Sequence, residues 1–204
     1  MTELLRKAGM ESRTPLATPM SNTMSKAATG STPLDDLTPY RQLVGSLMYL
    51  LVTRPDLSFP MNRLCLFMHS PTEDHWAALK RVLQYVKSTL THGLRLAVSQ
   101  SPMVYAFSDS DWVGCSLDRK STASFAMFLG SNLIPWVSCK QRTVARSSTK
   151  AEYKALADVA VEVVWVQLLL RELMGNISVR QSGVSCEDKN TLRWTIISFG
   201  TRSP

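Results

Sequence analysis

The sequence lacks several features that mark whole classes of protein. Its 4 cysteines include no CxxC pair and have no histidine at zinc-ligand spacing, which argues against a zinc finger and against a disulfide framework. The N-terminal residues contain no apolar core of the signal-peptide type. The most apolar run, Val159–Leu170, includes Glu162 and Gln167 and is too short to cross a bilayer. We therefore expect a soluble intracellular protein with no membrane partner.

What is present is the composition of a folded globular chain. Hydrophobic residues make up 45% of the 204 residues and aromatic residues 8%, which suffices for one domain or for one domain with an appended subdomain. The formal net charge of +7 favours anionic partners such as nucleic acid. Because many basic proteins never bind nucleic acid, charge alone leaves that partner open.

The first half of the chain is predicted to be helical after a polar segment. Residues 11–36 are rich in Ser, Thr, Pro and Ala, which predicts a linker or a segment that lies along the surface. The spacing of apolar residues then predicts three helices. They begin with Thr38 as N-cap before Pro39, at Asp56 with an end near Met68, and at the capping box Ser70–Glu73 with an end before Gly93.

The third predicted helix carries basic residues away from its apolar stripe, namely Lys80, Arg81 and Lys87. In one interpretation they form a solvated basic face. In the other they face the phosphates of a bound nucleic acid. Both interpretations are open at this level.

The second half of the chain changes to a strand pattern interrupted by one long helix. The predicted elements are strands at Val104–Ser108, Ser124–Leu129 and Ile134–Ser138 with Arg142–Ala145, a helix at Thr149–Met174, and a strand near Gly183–Cys186. This order predicts an α/β fold with a sheet that is antiparallel at first and a helix that leads back to a parallel strand.

The stretch Phe107–Gly114 reads FSDSDWVG and places Asp109 and Asp111 where an apolar strand would be buried. Aspartate is a poor strand former, and an unpaired buried carboxylate is costly. By the alternation of a strand, both aspartates share one face with Tyr105 and Phe107. Either they mark the exposed end of the strand, or a cation binds to them.

A second acid, Glu152, shares the burying face of the predicted long helix with Val159 and Val163. One explanation is the helix dipole, which favours an acid in the first turn. The other is that the helix packs on the strand face of Asp109, so that both carboxylates converge on a divalent cation. Oxygen ligands without His or Cys suit Mg²⁺ or Mn²⁺, and such ions catalyse phosphodiester hydrolysis.

Four motifs occur in order along the second half of the chain. They are SDSDW at 108–112, DRKSTAS at 118–124, WVSCKQRTVARSS at 136–148 and TKAEY at 149–153. With them, residues 3–175 resemble the end of the polyprotein of copia-type LTR retrotransposons, from the stretch after the reverse transcriptase palm through the ribonuclease H domain. The chain is therefore interpreted as a fragment of a polyprotein.

The resemblance implies a fold and a division of the chain. The expected fold is a ribonuclease H-like mixed sheet with a long helix, C-terminally incomplete and preceded by a small helical subdomain. The implied divisions are 1–36 as a linker following the palm, 37–95 as a helical connection, 96–190 as the ribonuclease H-like domain and 191–204 as an unrelated tail.

The resemblance also implies a metal site for Mg²⁺ or Mn²⁺. Asp109 matches the family's aspartate on the central strand, and Glu152 matches its helix glutamate. The third acid of the family falls in VSCEDKNT, where Asp188 is the candidate and Glu187 the alternative. Asp111 is expected to support the end of the strand together with Trp112, without binding the metal ion.

The DRKS motif is expected to position the substrate or to contact phosphate through Arg119, Lys120 and Ser121. The activity that the resemblance implies is hydrolysis of RNA in RNA–DNA hybrids, beside or fused to reverse transcriptase. The location that it implies is a cytoplasmic particle or the nucleus. A catalytically dead, truncated relic of a retrotransposon is the alternative. A basic adaptor that binds nucleic acid without chemistry is a third hypothesis.

Overall fold

The computed structural model of the chain describes residues 1–10, 12–21, 31–98, 103–115, 118–174, 177–184 and 193–201. The chain divides into two compact units, an N-terminal unit at Met1–Leu94 and a C-terminal unit at Arg95–Pro204. Each unit has its own cluster of buried apolar side chains.

The N-terminal unit is helical. Its elements are α1 (Thr2–Lys7), α2 (Thr38–Met48), α3 (Ser58–Cys65) and α4 (Glu73–Ser88), with 3₁₀ turns at Tyr49–Val52 and Pro55–Leu57. The apolar stripe of α4 forms the centre of the core, because Leu79, Val82, Leu83 and Val86 are all at most 1% exposed. The predicted stripe of this helix comprised Trp76, Leu79, Leu83, Val86 and Leu90. Its middle three members are buried as predicted, whereas Leu90 lies beyond the end of α4 and is 40% exposed.

Two helix starts differ from the predicted ones. Thr38 is the first residue of α2 instead of its N-cap, and the side chain of Asp36 accepts its backbone N–H at 2.8 Å. Asp56, the predicted cap of the second helix, lies in the 3₁₀ turn before α3, and its carboxylate binds Arg54. α3 starts at Ser58 with Leu57 as its N-cap.

The start of α4 also lies later than predicted. Its N-cap is Thr72, and the capping box joins Thr72 to His75 instead of Ser70 to Glu73. Residues on either side of the cap pair with an extended segment, since Leu34 donates to Pro71 at 3.1 Å. Thr72 takes part in this pairing and is extended, so the helix begins only at Glu73.

Residues 13–18 lie along α4, so this part of the predicted linker or surface segment is a surface segment. The backbone N–H of Leu16 donates to the carbonyl of Gln84 at 3.4 Å, and the Ser88 hydroxyl donates to the carbonyl of Leu16 at 2.6 Å.

The C-terminal unit is an α/β structure. Its elements are β1 (Val104–Asp111), β2 (Thr122–Leu129), β3 (Asn132–Lys140), α5 (Ser148–Met174), β4 (Ile177–Val184) and β5 (Arg193–Thr201). The sheet order is β3-β2-β1-β5-β4, and β1 to β3 form an antiparallel meander. A mixed α/β unit with this meander and one long helix is compatible with the ribonuclease H-like fold.

The sheet differs from the predicted one in its last strands. A single β3 replaces the predicted third strand in two pieces, and Arg142–Ala145 is not a strand. After α5 the chain returns through β4, which runs in the same direction as β1 but lies at the sheet edge. β5 lies between β1 and β4 and is antiparallel to both. β5 comes from the segment expected to be an unrelated tail.

Candidate active site

The two faces of β1 have different neighbours. Val104 and Ala106 are buried against Val159 and Val163 of α5. The other face carries Tyr105, Phe107, Asp109 and Asp111, and the interpretation that this face meets the long helix is wrong. The helix packs on the face of Val104 and Ala106 because these small aliphatic side chains fit against the valines of α5.

The face of Asp109 is instead covered in part by aromatic side chains. Tyr105 stacks on Phe128 with ring centroids 5.2 Å apart, and Phe107 contacts both rings edge-on at 5.8 and 5.7 Å. Asp109 continues this row at the end of the strand, where its side chain is exposed. Its cross-strand partner on β2 is Ser124. The carboxylate is thus accessible to ligands from solution.

The first turn of α5 lies at the end of β1 and is held there by Gln141. The Gln141 side chain donates from Nε2 to the carbonyl of Ala151 at 2.8 Å and to the Ser110 hydroxyl at 3.3 Å. Ser110 follows Asp109 in the chain, and Ala151 precedes Glu152. Gln141 thus bonds to the residue that follows Asp109 and to the residue that precedes Glu152.

Glu152 is half-buried and lies beyond the first turn of α5, which starts at Ser148 and contains no acid in that turn. The helix dipole acts mainly on the first turn. The helix dipole therefore does not explain the position of Glu152.

Asp111 and Trp112 hold the end of β1, as the sequence predicted. The Asp111 carboxylate accepts the backbone N–H of Thr122. It also lies against Gly114, where an added Cβ would collide with it. The Trp112 indole donates to the carbonyl of Ala145 at 3.1 Å, which ties the end of the strand to the segment before α5.

The loop after β1 places the residues of the DRKS motif in different environments. Ser121 is fully buried, and its hydroxyl accepts the backbone N–H of Val113 at 3.3 Å. Arg119 is exposed in a left-handed conformation with φ of 55°. Lys120 is half-buried, with its amine 3.7 Å from Asp118. Of the three, Arg119 is thus the most accessible to a phosphate.

Lys140 reinforces this loop. Its amine lies 2.8 Å from the Asp118 carboxylate and 3.2 Å from the Cys115 sulfur. The hydrogen bond from Lys140 lowers the pKa of Asp118 to about 2. Sequence reasoning assigned no role to Lys140 or Gln141, although both belong to the WVSCKQRTVARSS motif, and their adjacency to an apolar strand was the available signal.

The basic residues of α4 contact the chain itself. The Arg81 guanidinium donates to Thr18 at 2.7 Å, and the Lys87 amine donates to the carbonyl of Arg13 at 2.7 Å. The Lys80 amine lies 6.0 Å from the centre of the Trp76 ring. Arg81 and Lys87 therefore hold the segment along α4, and a role of this face in binding nucleic acid stays a prediction.

Within the described part of the chain, no three His, Cys, Asp or Glu residues cluster in a way that could hold a metal ion. Asp188 and Glu187, the candidates for the third acid, lie outside the described residues. Cys65, Cys115 and Cys139 are free thiols. No helix in the described ranges is long and apolar enough to span a membrane.

The chain is similar to retrotransposon polyproteins. It is 46% identical to the retrovirus-related Pol polyprotein from transposon RE2 of Arabidopsis thaliana over 171 residues, and 44% identical to that from transposon RE1. These alignments cover 84% of this chain but 12% of each polyprotein. An uncharacterized mitochondrial protein of Arabidopsis thaliana is 45% identical over 80% of this chain and 68% of its own length. No protein-family model and no solved structure matches the chain.

Proposed function

Because the chain belongs to the copia-type family of retrotransposon Pol polyproteins, we propose that its C-terminal unit is a ribonuclease H-like domain. The proposed reaction is metal-dependent hydrolysis of the RNA strand of RNA–DNA hybrids during reverse transcription. The proposed working partner is the reverse transcriptase of the same polyprotein. The observation that supports this most is the Gln141 bridge, which joins the neighbours of Asp109 and Glu152.

The proposed cofactor is Mg²⁺ or Mn²⁺. Asp109 and Glu152 offer the carboxylate oxygens that these ions prefer, and Asp188 is the proposed third ligand. When bound, such an ion activates a water molecule and stabilises the leaving oxygen of the phosphodiester. The chain itself contributes the placement of an exposed Asp109 at the end of β1, where a backbone phosphate can approach.

The proposed substrate is recognised by its shape and its phosphates, not by its base sequence. Arg119 is exposed close to the end of β1 and supplies a cation for a phosphate. The net charge of +7 supports attraction to a polyanion, and that attraction weakens with salt.

The test is cleavage of a labelled RNA strand in an RNA–DNA hybrid, with and without Mg²⁺. Asp109→Asn and Glu152→Gln should each lower the rate by more than about 100-fold, because loss of a ligand exceeds the effect of losing an outer partner. Asp158→Asn is the matched control, since Asp158 is an exposed acid of α5 that is not among the proposed ligands. Rates that both site variants leave unchanged would contradict the proposal.

A second candidate is an inactive relic that keeps the fold and at most binds nucleic acid. It is favoured by the lack of a three-residue metal cluster within the described ranges. Calorimetric titration of the protein with Mn²⁺ separates the two candidates, since the relic should give no binding heat at millimolar metal. If it nevertheless binds hybrids in a salt-sensitive way that Asp109→Asn leaves intact, the basic adaptor is the better description.

A further inference from the structure

Gln141 is almost completely buried, with 6% of its surface exposed, and it occupies the junction of three elements. Its backbone N–H donates to the carbonyl of Ser121 at 2.8 Å, which extends the pairing of β2 and β3 by one step. Its side chain leaves this edge and reaches β1 through Ser110 and α5 through Ala151. One residue thus joins β2, β1 and the first turn of α5.

The orientation of the Gln141 amide is set by its partners. Only the Nε2 group can donate to the carbonyl of Ala151, so the oxygen must point away from that carbonyl. Oε1 is buried and has no hydrogen-bond partner among the described residues. A buried amide oxygen without a partner carries a cost, so this geometry is maintained at the expense of stability.

The bonds of Gln141 end on the residues that adjoin the proposed ligands. Ser110 lies between Asp109 and Asp111, and its side chain points to the face of α5. The Ala151 carbonyl belongs to the peptide group that leads into Glu152. A shift of α5 along the sheet would break the bond to Ala151, and it would also move Glu152 relative to Asp109.

We infer that Gln141 is a positioning residue that fixes the register of α5 against β1, and with it the separation of Asp109 and Glu152. The effect on metal binding rests on the proposed function. The register of α5 against β1 does not, because it is present in the protein without metal. Gln141 contacts neither carboxylate in the described structure, so it acts through the backbone of its partners. Loss of such an outer partner typically weakens metal affinity by about 10- to 100-fold.

The test compares Gln141→Met with Gln167→Met in the full chain. Methionine keeps the length of glutamine and removes both polar groups. Gln167 is the matched control, because it is also 6% exposed, lies on α5, and has an Nε2 without a hydrogen-bond partner among the described residues. Circular dichroism confirms that each variant is folded before the comparison.

The first measurement is amide hydrogen exchange over residues 149–156 in the absence of metal. Gln141→Met should speed exchange by about 5- to 10-fold, the factor expected for one lost hydrogen bond, and Gln167→Met should leave it unchanged. Ser110→Ala keeps the bond to Ala151 and should change exchange by less than about twofold. Equal exchange in the Gln141 and Gln167 variants would overturn the inference.

The second measurement is the affinity for Mn²⁺, followed by calorimetry and by the metal dependence of hybrid cleavage. Gln141→Met should weaken Mn²⁺ by about 10-fold or more while the KM for the hybrid stays constant. Faster exchange with unchanged Mn²⁺ affinity would reduce Gln141 to a structural bond and overturn its positioning role. If wild type neither binds Mn²⁺ nor cleaves hybrids, the proposed function fails, and the exchange data alone decide whether Gln141 fixes the register.

Discussion

At the scale of a single residue, the Asp111 carboxylate stabilises the end of β1. It accepts the N–H of Thr122 and lies against Gly114. Gly114→Ala should destabilise the C-terminal unit by about 1–3 kcal/mol, because the new methyl group has no room beside this carboxylate. Urea denaturation measures the change.

The control for Gly114 is the same substitution in an Asp111→Ala background. With the carboxylate removed, the added methyl should cost much less than in wild type, and the difference is the coupling between the two residues. Equal costs in both backgrounds would show that the obstruction does not come from Asp111.

The buried guanidinium of Arg54 has the carboxylate of Asp56 as its counter-charge. Arg54 is 1% exposed, and its guanidinium donates to both oxygens of Asp56 at 2.9 and 2.7 Å and to the carbonyl of Thr89 at 2.9 Å. Asp56→Asn should destabilise the N-terminal unit by roughly 3 kcal/mol, since it leaves a buried cation without its counter-charge. Asp35→Asn, a change at an exposed acid, is the control in the same denaturation assay.

The Arg54 pair also predicts a pH dependence. Burial opposes ionisation of Asp56, but hydrogen bonds from Arg54 and Tyr85 outweigh it and lower the pKa of this carboxyl. A lowered pKa in the folded state means stability that is present above the unfolded value and is lost as the pH falls through the folded one. Wild type should therefore lose stability below about pH 4, and Asp56→Asn should lose less.

At the scale of an element, the capping box of α4 depends on a neutral histidine. The Thr72 backbone N–H donates to Nδ1 of His75 at 3.0 Å. Burial lowers the pKa of His75, with Asp74 opposing this and Arg63 adding to it. The neutral form is thus favoured on folding, so stability is full above the unfolded pKa of about 6.5 and declines as the pH falls below it.

His75→Gln should remove this pH dependence, because glutamine keeps an acceptor for the cap and does not titrate. The measurement is the urea midpoint of the N-terminal unit at pH 7.5 and at pH 5. His92→Gln serves as the control and should retain the loss of stability at pH 5. If the urea midpoint of His75→Gln falls between pH 7.5 and pH 5 as much as that of wild type, another group is responsible for the pH dependence.

At the scale of the whole molecule, the two units have cores that share no residue. Val163→Ala should therefore lower the stability of the C-terminal unit by about 2 kcal/mol and leave that of the N-terminal unit unchanged. Val164→Ala is the matched control, because Val164 is the next residue of α5 and is 47% exposed. Hydrogen exchange in urea, resolved over residues 38–88 and 104–170, reports both units at once. Parallel loss of protection in both units would show that they unfold together.

The sequence by itself determined the elements that arise from local patterns. The helix predicted at Thr149–Met174 is α5 at Ser148–Met174, and the predicted strand at 124–129 lies within β2. The motifs also identified the family, since their order and spacing are properties of the chain alone. Local periodicity was sufficient here because each pattern extends over several turns or residues.

Only the tertiary structure decided which face of β1 meets the helix. Val104 and Ala106 alternate with Tyr105 and Phe107, so both faces are apolar and alternation cannot choose between them. The choice follows from packing against the valines of α5, and it places Asp109 on the opposite face.

The tertiary structure likewise decided how charged and polar groups are used. Arg81 and Lys87 bind acceptors 63 and 74 residues away in the chain, and Gln141 joins strands and helix through partners 31 and 10 residues away. Such bonds depend on which segments fold next to each other. A local pattern contains the donor but not the acceptor, and for that reason the network at the end of β1 emerged only from the structure.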